Sequence, residues 1–120
     1  MDRHRDLLAW QRARSLALEC YRVTRGFPPD ERFGMVTQIR RAACSVGANI
    51  AEGKARPGAK EYRRFVAIAL GSLGELAHFL DLAHALGFVA RPDFERLELL
   101  RSETSKLTWL LYRSLGGGAA

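Results

Sequence analysis

Apolar residues in this chain recur at three- and four-residue steps, the period of an α-helix, and they do so in four separate stretches. The first predicts a helix over about Asp6 to Arg25. Trp10, Ala13, Leu16, Ala17, Cys20 and Thr24 form its inner stripe, Phe27 extends the line, and Arg12, Arg14, Arg22 and Arg25 face outward beside Glu19. Gly26, Pro28 and Pro29 then break the chain, because glycine ends helices and neither proline can continue one. Asp30 is placed to cap the next helix, with Glu31 adding negative charge to its first turn. That second helix is predicted from about Glu31 to Glu52. Val36, Ile39, Ala43, Val46 and Ile50 share one side of it. Gln38, Arg41, Ser45, Asn49 and Glu52 follow the same rhythm roughly 140° further round. The outer face of a helix that only covers a core carries repeated Lys and Glu. Here single polar groups stand beside Ala42, Gly47, Ala48 and Ala51, which predicts a close inter-helix or inter-subunit seam. Gly34 and Gly47 each weaken the helix by about 1 kcal/mol relative to Ala, a cost that points to close packing or a bend.

Residues Gly53 to Gly58 read as a loop, followed by a third helix from about Ala59 to Leu86. It carries two apolar stripes: Tyr62, Phe65, Ala69, Leu73, Leu76, Leu80 and Ala83 on one side, and Ile68, Phe79, Leu82 and Leu86 on another. A helix apolar on two sides is expected to be buried on two sides, so part of this one should meet another subunit. Gly87 is placed as a C-cap, and Pro92 with Asp93 opens a fourth helix reaching Leu115. Its stripe is Phe94, Leu97, Leu100, Thr104, Leu107 and Leu111, flanked by Trp109 and Tyr112. The pattern gives an all-α protein, an up-down-up-down antiparallel four-helix bundle in a single domain over 1–115, with a disordered Gly/Ala tail at 116–120. Val, Ile and Thr are too scattered to build a sheet, and 120 residues with 48% hydrophobic content suffice for one core.

Charge adds a direction to this picture. The net charge is +6 and the isoelectric point near 10.0, which favours polyanionic partners. In the predicted topology the N-terminus, the Gly53–Gly58 loop and the C-terminus share one end. Arg3, Arg5, Lys54, Arg56, Lys60, Arg63, Arg64 and Arg113 gather there against Asp2, Asp6, Glu52 and Glu61, whereas charges at the other end cancel. Lys54, Arg56, Lys60, Arg63 and Arg64, with Tyr62 as a stacking ring, are therefore the candidate nucleic-acid contacts, joined by Arg3 and Arg5. Such a surface suits RNA or DNA without sequence specificity. The competing reading is a scaffold or adaptor whose basic pole meets an acidic protein.

Candidates for catalysis are sparse. Cys20 and Cys44 lack metal-type spacing and read as small buried hydrophobes in a reducing, cytoplasmic setting. The first residues show no apolar signal segment, and no apolar run is expected to approach the roughly 20 residues that span a bilayer, so no membrane partner is expected. Gly47 to Lys54 fails the Walker pattern, having the wrong glycine spacing and Ala55 where Ser or Thr is needed. Glu75 with His78 matches the Glu-x-x-His element of di-iron bundles, and Asp81 with His84 imitates it. Both lie on one helix, whereas a di-metal site draws on four helices, leaving only a site completed across subunits. No nucleophile elbow is present. The expectation is a protein that is not an enzyme, with no catalytic residues, no metal site and no cofactor.

A resemblance supports the architecture. Trp10, Gln11 and Ala13, then Phe33 and Gly34, then the run from Gln38 to Gly53, then Ala69, Gly71, Ser72, Glu75 and Leu76 resemble the "four helix bundle protein" family. Its members include proteins encoded by intervening sequences within large-subunit ribosomal RNA genes. The accessory variability determinant of diversity-generating retroelements is similar to them. The likeness spans about Leu7 to Leu111, with Gly47 standing where the family often has Pro. It implies a four-helix protomer assembling with itself into a ring-like homopentamer. In the retroelement relatives it implies a basic barrel that binds nucleic acid and a reverse transcriptase. A reverse transcriptase partner for this chain is implied only as far as that analogy reaches.

Overall fold

The computed structural model describes residue 4 and residues 7–116; Arg3 and Arg5, Asp2 and Asp6, and the tail from 117 to 120 lie outside the described residues. Four α-helices follow one another, α1 (Leu8–Thr24), α2 (Met35–Ala55), α3 (Ala59–Ala85) and α4 (Arg91–Ser114), with a short 3-10 turn at Pro29–Glu31 before α2. Contacts between side chains fix their directions. Arg12 meets Glu103 while Arg22 meets Asp93, so α4 runs antiparallel to α1. Ser45 meets Ser72 while Gly53 abuts Tyr62, so α3 is antiparallel to α2. His84 stacks on Phe94 while Arg63 covers Tyr112, so α4 is antiparallel to α3 as well. With α1 packed on both α2 and α4, the four helices close into an up-down-up-down bundle.

Its core is the set of stripes that helical periodicity picks out. Val36, Ile39, Ala43, Val46 and Ile50 of α2 are all buried, as are Ala13, Leu16, Cys20 and Thr24 of α1 and Leu73, Leu76 and Leu80 of α3. Two threonines of α4, Thr104 and Thr108, are also fully buried. Each hydroxyl donates to a backbone carbonyl one turn earlier, at 2.7 Å, which removes the cost of burying it.

The differences from expectation have physical causes. Helix α2 starts at Met35, not near Glu31, because the chain first makes its 3-10 turn and then passes through Gly34. The group that caps it is Glu31, not Asp30: its Oε1 accepts from the Met35 N–H at 3.1 Å. At its other end α2 continues through Gly53 and Lys54 to Ala55, into the stretch expected to be a loop. Gly58, at φ +87°, makes the turn. Gly87, at φ +82°, ends α3 as expected, its N–H bonding to His84 and that of Phe88 to Ala83, the paired bonds of a Schellman cap. Helix α2 passes unbroken through Gly47, whose Cα faces Trp10 and Ala13 of α1.

One expectation about burial is corrected. Cys44 is exposed, its Sγ 3.7 Å from the Tyr21 hydroxyl, while Cys20 is buried. Desolvation pushes the Cys20 thiol up to about 12, so it stays protonated and inert. Of the second stripe of α3, Phe79 packs against the core, while Ile68 at 41%, Leu82 at 39% and Leu86 at 54% exposure are left uncovered by the single chain. Helix α3 is also long and apolar enough to cross a bilayer by length and composition, contrary to the expectation that no run would be. In the bundle, Leu73, Leu76 and Leu80 spend that apolar character on the core.

Candidate nucleic-acid interface

Two sets of polar residues converge in the fold, one along the α2–α3 edge and one at the end of the bundle where Gly53 to Gly58 turns. Along the edge, Arg41 Nη2 donates to Glu75 Oε2 at 2.5 Å and to Gln38 Oε1 at 3.0 Å. One turn on, the Ser45 and Ser72 hydroxyls lie 2.8 Å apart, and Asn49 Nδ2 donates to the Ser45 hydroxyl and carbonyl at 2.9 and 2.8 Å. Gln38, Arg41, Ser45 and Asn49 thus form a ladder that ties α2 to α3 within one chain. Glu52 is not part of it and instead pairs with Arg56 one turn away, at 2.9 Å. Glu75, the acidic half of the Glu-x-x-His element, is committed to Arg41; His84 stacks on Phe94 at 4.3 Å and His78 packs beside Phe79. No group of three metal-ligating side chains comes together among the described residues.

The basic end is built by the close approach of α2 and α3. A Cβ at Gly53 would sit 2.8 Å from Phe65 Cβ and 3.1 Å from the Tyr62 carbonyl, so the two backbones meet where only glycine fits. That contact brings Lys54 and Arg56 alongside the first turns of α3. Lys54 Nζ lies 5.6 Å from the Tyr62 ring, and the Arg56 and Arg64 guanidinium groups lie 5.1 and 4.5 Å from the Phe65 ring. Arg64 also binds Glu61, and that ion pair holds the Glu61 carboxyl below the ordinary range. Lys54, Lys60 and Arg63 make no ion pair with any carboxylate among the described residues. With Arg113, the described part of this end carries six cations against two carboxylates, Glu52 and Glu61, so the net +4 stands without Arg3 and Arg5.

The expected stacking ring is displaced. Tyr62 packs onto Gly53, its hydroxyl is buried without a partner, and burial raises its pKa, so it serves the helix contact instead of a ligand. The available aromatic surface comes from α4. Arg63 covers the Tyr112 ring at 3.9 Å, and Tyr112 stacks on Trp109 at 5.5 Å with an interplanar angle of 25°. Lys60, Glu61, Arg63, Arg64, Ala67 and Tyr112 line a groove of about 260 Å³. Tyr112 and Trp109 are far from Arg63 in sequence. The antiparallel register of α3 and α4, together with aromatic residues late in α4, is the signal that could have joined them.

At the opposite end the charges balance in number, and four of them pair in a square. Arg22 reaches both Glu19 and Asp93, at 3.0 and 2.9 Å, while Arg96 meets Glu19 at 3.0 Å and closes the square on Asp93. Hydrogen bonds from Arg22, and then Arg96, hold both carboxyls below their usual range.

No curated protein matches the chain. Among solved structures it is similar to a protein of unknown function from the S23 ribosomal protein family of Bacteroides thetaiotaomicron. The TM-score is 0.82 over 88% of this chain and 96% of that one, at 21% sequence identity, a likeness of fold. The ladder on the α2–α3 edge and the glycine contact at Gly53 come from the same run, Gln38 to Gly53, on which the family resemblance rests. Over residues 5–109 the chain matches the 23S rRNA-intervening sequence protein family, and it belongs to that family.

Proposed function

We propose that this protein is a non-enzymatic homo-oligomer whose basic end binds RNA or DNA without sequence specificity. The observation that carries the reading is the uneven neutralisation of charge. At one end Arg22 and Arg96 are tied to Glu19 and Asp93, whereas at the other Lys54, Lys60 and Arg63 make no ion pair among the described residues, and Lys60 and Arg63 line an open groove. Counterion release from a polyanion rewards that arrangement, and it asks nothing of base sequence. Self-association is supported by the stripe of Ile68, Leu82 and Leu86 left open beside the polar ladder, where Gly71 has no atom near its missing side chain. A pentameric ring is the form the family resemblance implies, and it would carry five times the +6 of one chain.

Fluorescence anisotropy with labelled RNA tests the reading. Binding should be tight at about 50 mM salt and weaker by a factor of ten or more at about 200 mM. Absence of binding at the lower salt, or affinity indifferent to salt, would contradict it. A complex with an acidic protein that survives nuclease treatment, without any RNA or DNA binding, would favour the scaffold reading.

A further inference from the structure

We propose that the Trp109 indole, stacked on Tyr112 at the edge of the groove between the start of α3 and the end of α4, is the platform for a base of single-stranded nucleic acid. This rests on the reading of the basic end given above and names the form of nucleic acid it takes. Three planar groups stand in sequence there: the Arg63 guanidinium over Tyr112 at 3.9 Å, the Tyr112 ring, and Trp109 stacked on it at 5.5 Å. The last of them is open, with Trp109 49% exposed. Arg63 and Tyr112 face each other across antiparallel helices. One turn further along α3, and one turn back along α4, Ala67 and Trp109 share a level of the bundle, and Ala67 contributes only a methyl group there.

Lys60 and Arg64 line the same groove and lie where the phosphates on either side of a stacked base would run. Arg63 is fixed rather than free: its Nε is buried and its guanidinium lies over the Tyr112 ring, which strengthens the stack without supplying a mobile ion pair. Bases in a duplex are already stacked on one another and cannot cover an indole. Phosphates alone suit both forms. The exposed ring therefore separates single strand from duplex, and every base has a face that can use it.

The test uses the full chain and two probes, a labelled oligo(U) of about 20 nucleotides and a blunt RNA duplex of the same length, a span that covers the site sizes of single-strand grooves. The expected result is preference for the single strand, with quenching of tryptophan fluorescence on binding. Trp109→Ala should lower single-strand affinity roughly tenfold, the scale of one base stack, and abolish the quenching. It should leave duplex affinity and oligomer size unchanged, while Trp109→Phe keeps most of the binding. Equal binding of both probes, indifferent to Trp109→Ala, would overturn the subsite and leave the basic-end reading standing. Binding of neither would overturn both. A change of oligomer size in Trp109→Ala would assign the indole to assembly and overturn the subsite.

Discussion

At Gly53 the spacing between α2 and α3 is set by a side chain that is not there. Any Cβ would press on Phe65 Cβ at 2.8 Å and on the Tyr62 backbone, neither of which is a flexible tip. Gly47 is the contrasting case, because a Cβ there would meet Trp10 and Ala13 at 3.6 and 3.7 Å, ordinary contact distances. Gly53→Ala should therefore destabilise the fold by about 1–3 kcal/mol through overpacking, more than the helix-propensity gain returns. Gly47→Ala should stabilise it by up to about 1 kcal/mol. Urea denaturation of the two variants checks the opposite signs. From sequence Gly47 interrupts the helix and Gly53 opens the loop after it; only the position of α3 shows that Gly53 is the one a side chain cannot replace. Thr108 was hidden for a related reason. Threonine reads as polar, and its hydroxyl becomes buriable only through the 2.7 Å bond to the Thr104 carbonyl.

Helices were legible wherever a long apolar stripe defined them, as in α2 and α3, and less so at their ends. The start of α2 depends on which acid reaches the Met35 N–H, and Glu31 does so across a turn that periodicity cannot describe. The α1–α4 edge shows the same limit. Arg22 and Glu19 could be placed on the outer side of α1, but their joining to Asp93 and Arg96 needed the packed pair. That square makes a pH prediction. The carboxyls of Glu19 and Asp93 are held below their unfolded range, so their contribution is present above it and is lost as pH falls through the lowered folded values. The melting temperature should hold between pH 7 and about pH 5 and fall below about pH 4. Glu19→Gln combined with Asp93→Asn should flatten part of that fall in a thermal melt series; an unchanged acid profile would show the square to be idle.

For the whole molecule, the polarity of charge was visible from the sequence once the topology was assumed, because an up-down-up-down chain brings its loops to alternating ends. The groove was not visible, since Arg63 and Tyr112 meet only through the antiparallel register of α3 and α4. The second stripe of α3 was legible, and the fold leaves Ile68, Leu82 and Leu86 uncovered in a single chain. If another copy covers them, Leu82→Glu should shift the protein to a smaller species in sedimentation velocity while helicity is retained. Unchanged size would remove this face from the assembly.

The central claim is that phosphates are met at the basic end, and the salt dependence of binding tests it most directly. Each phosphate contact contributes about 0.7 to the slope of log affinity against log salt for a single strand. Lys60→Glu with Arg64→Glu should lower affinity for oligo(U) and flatten that slope by about two contacts' worth. Charge reversal there with slope and affinity unchanged would contradict the account.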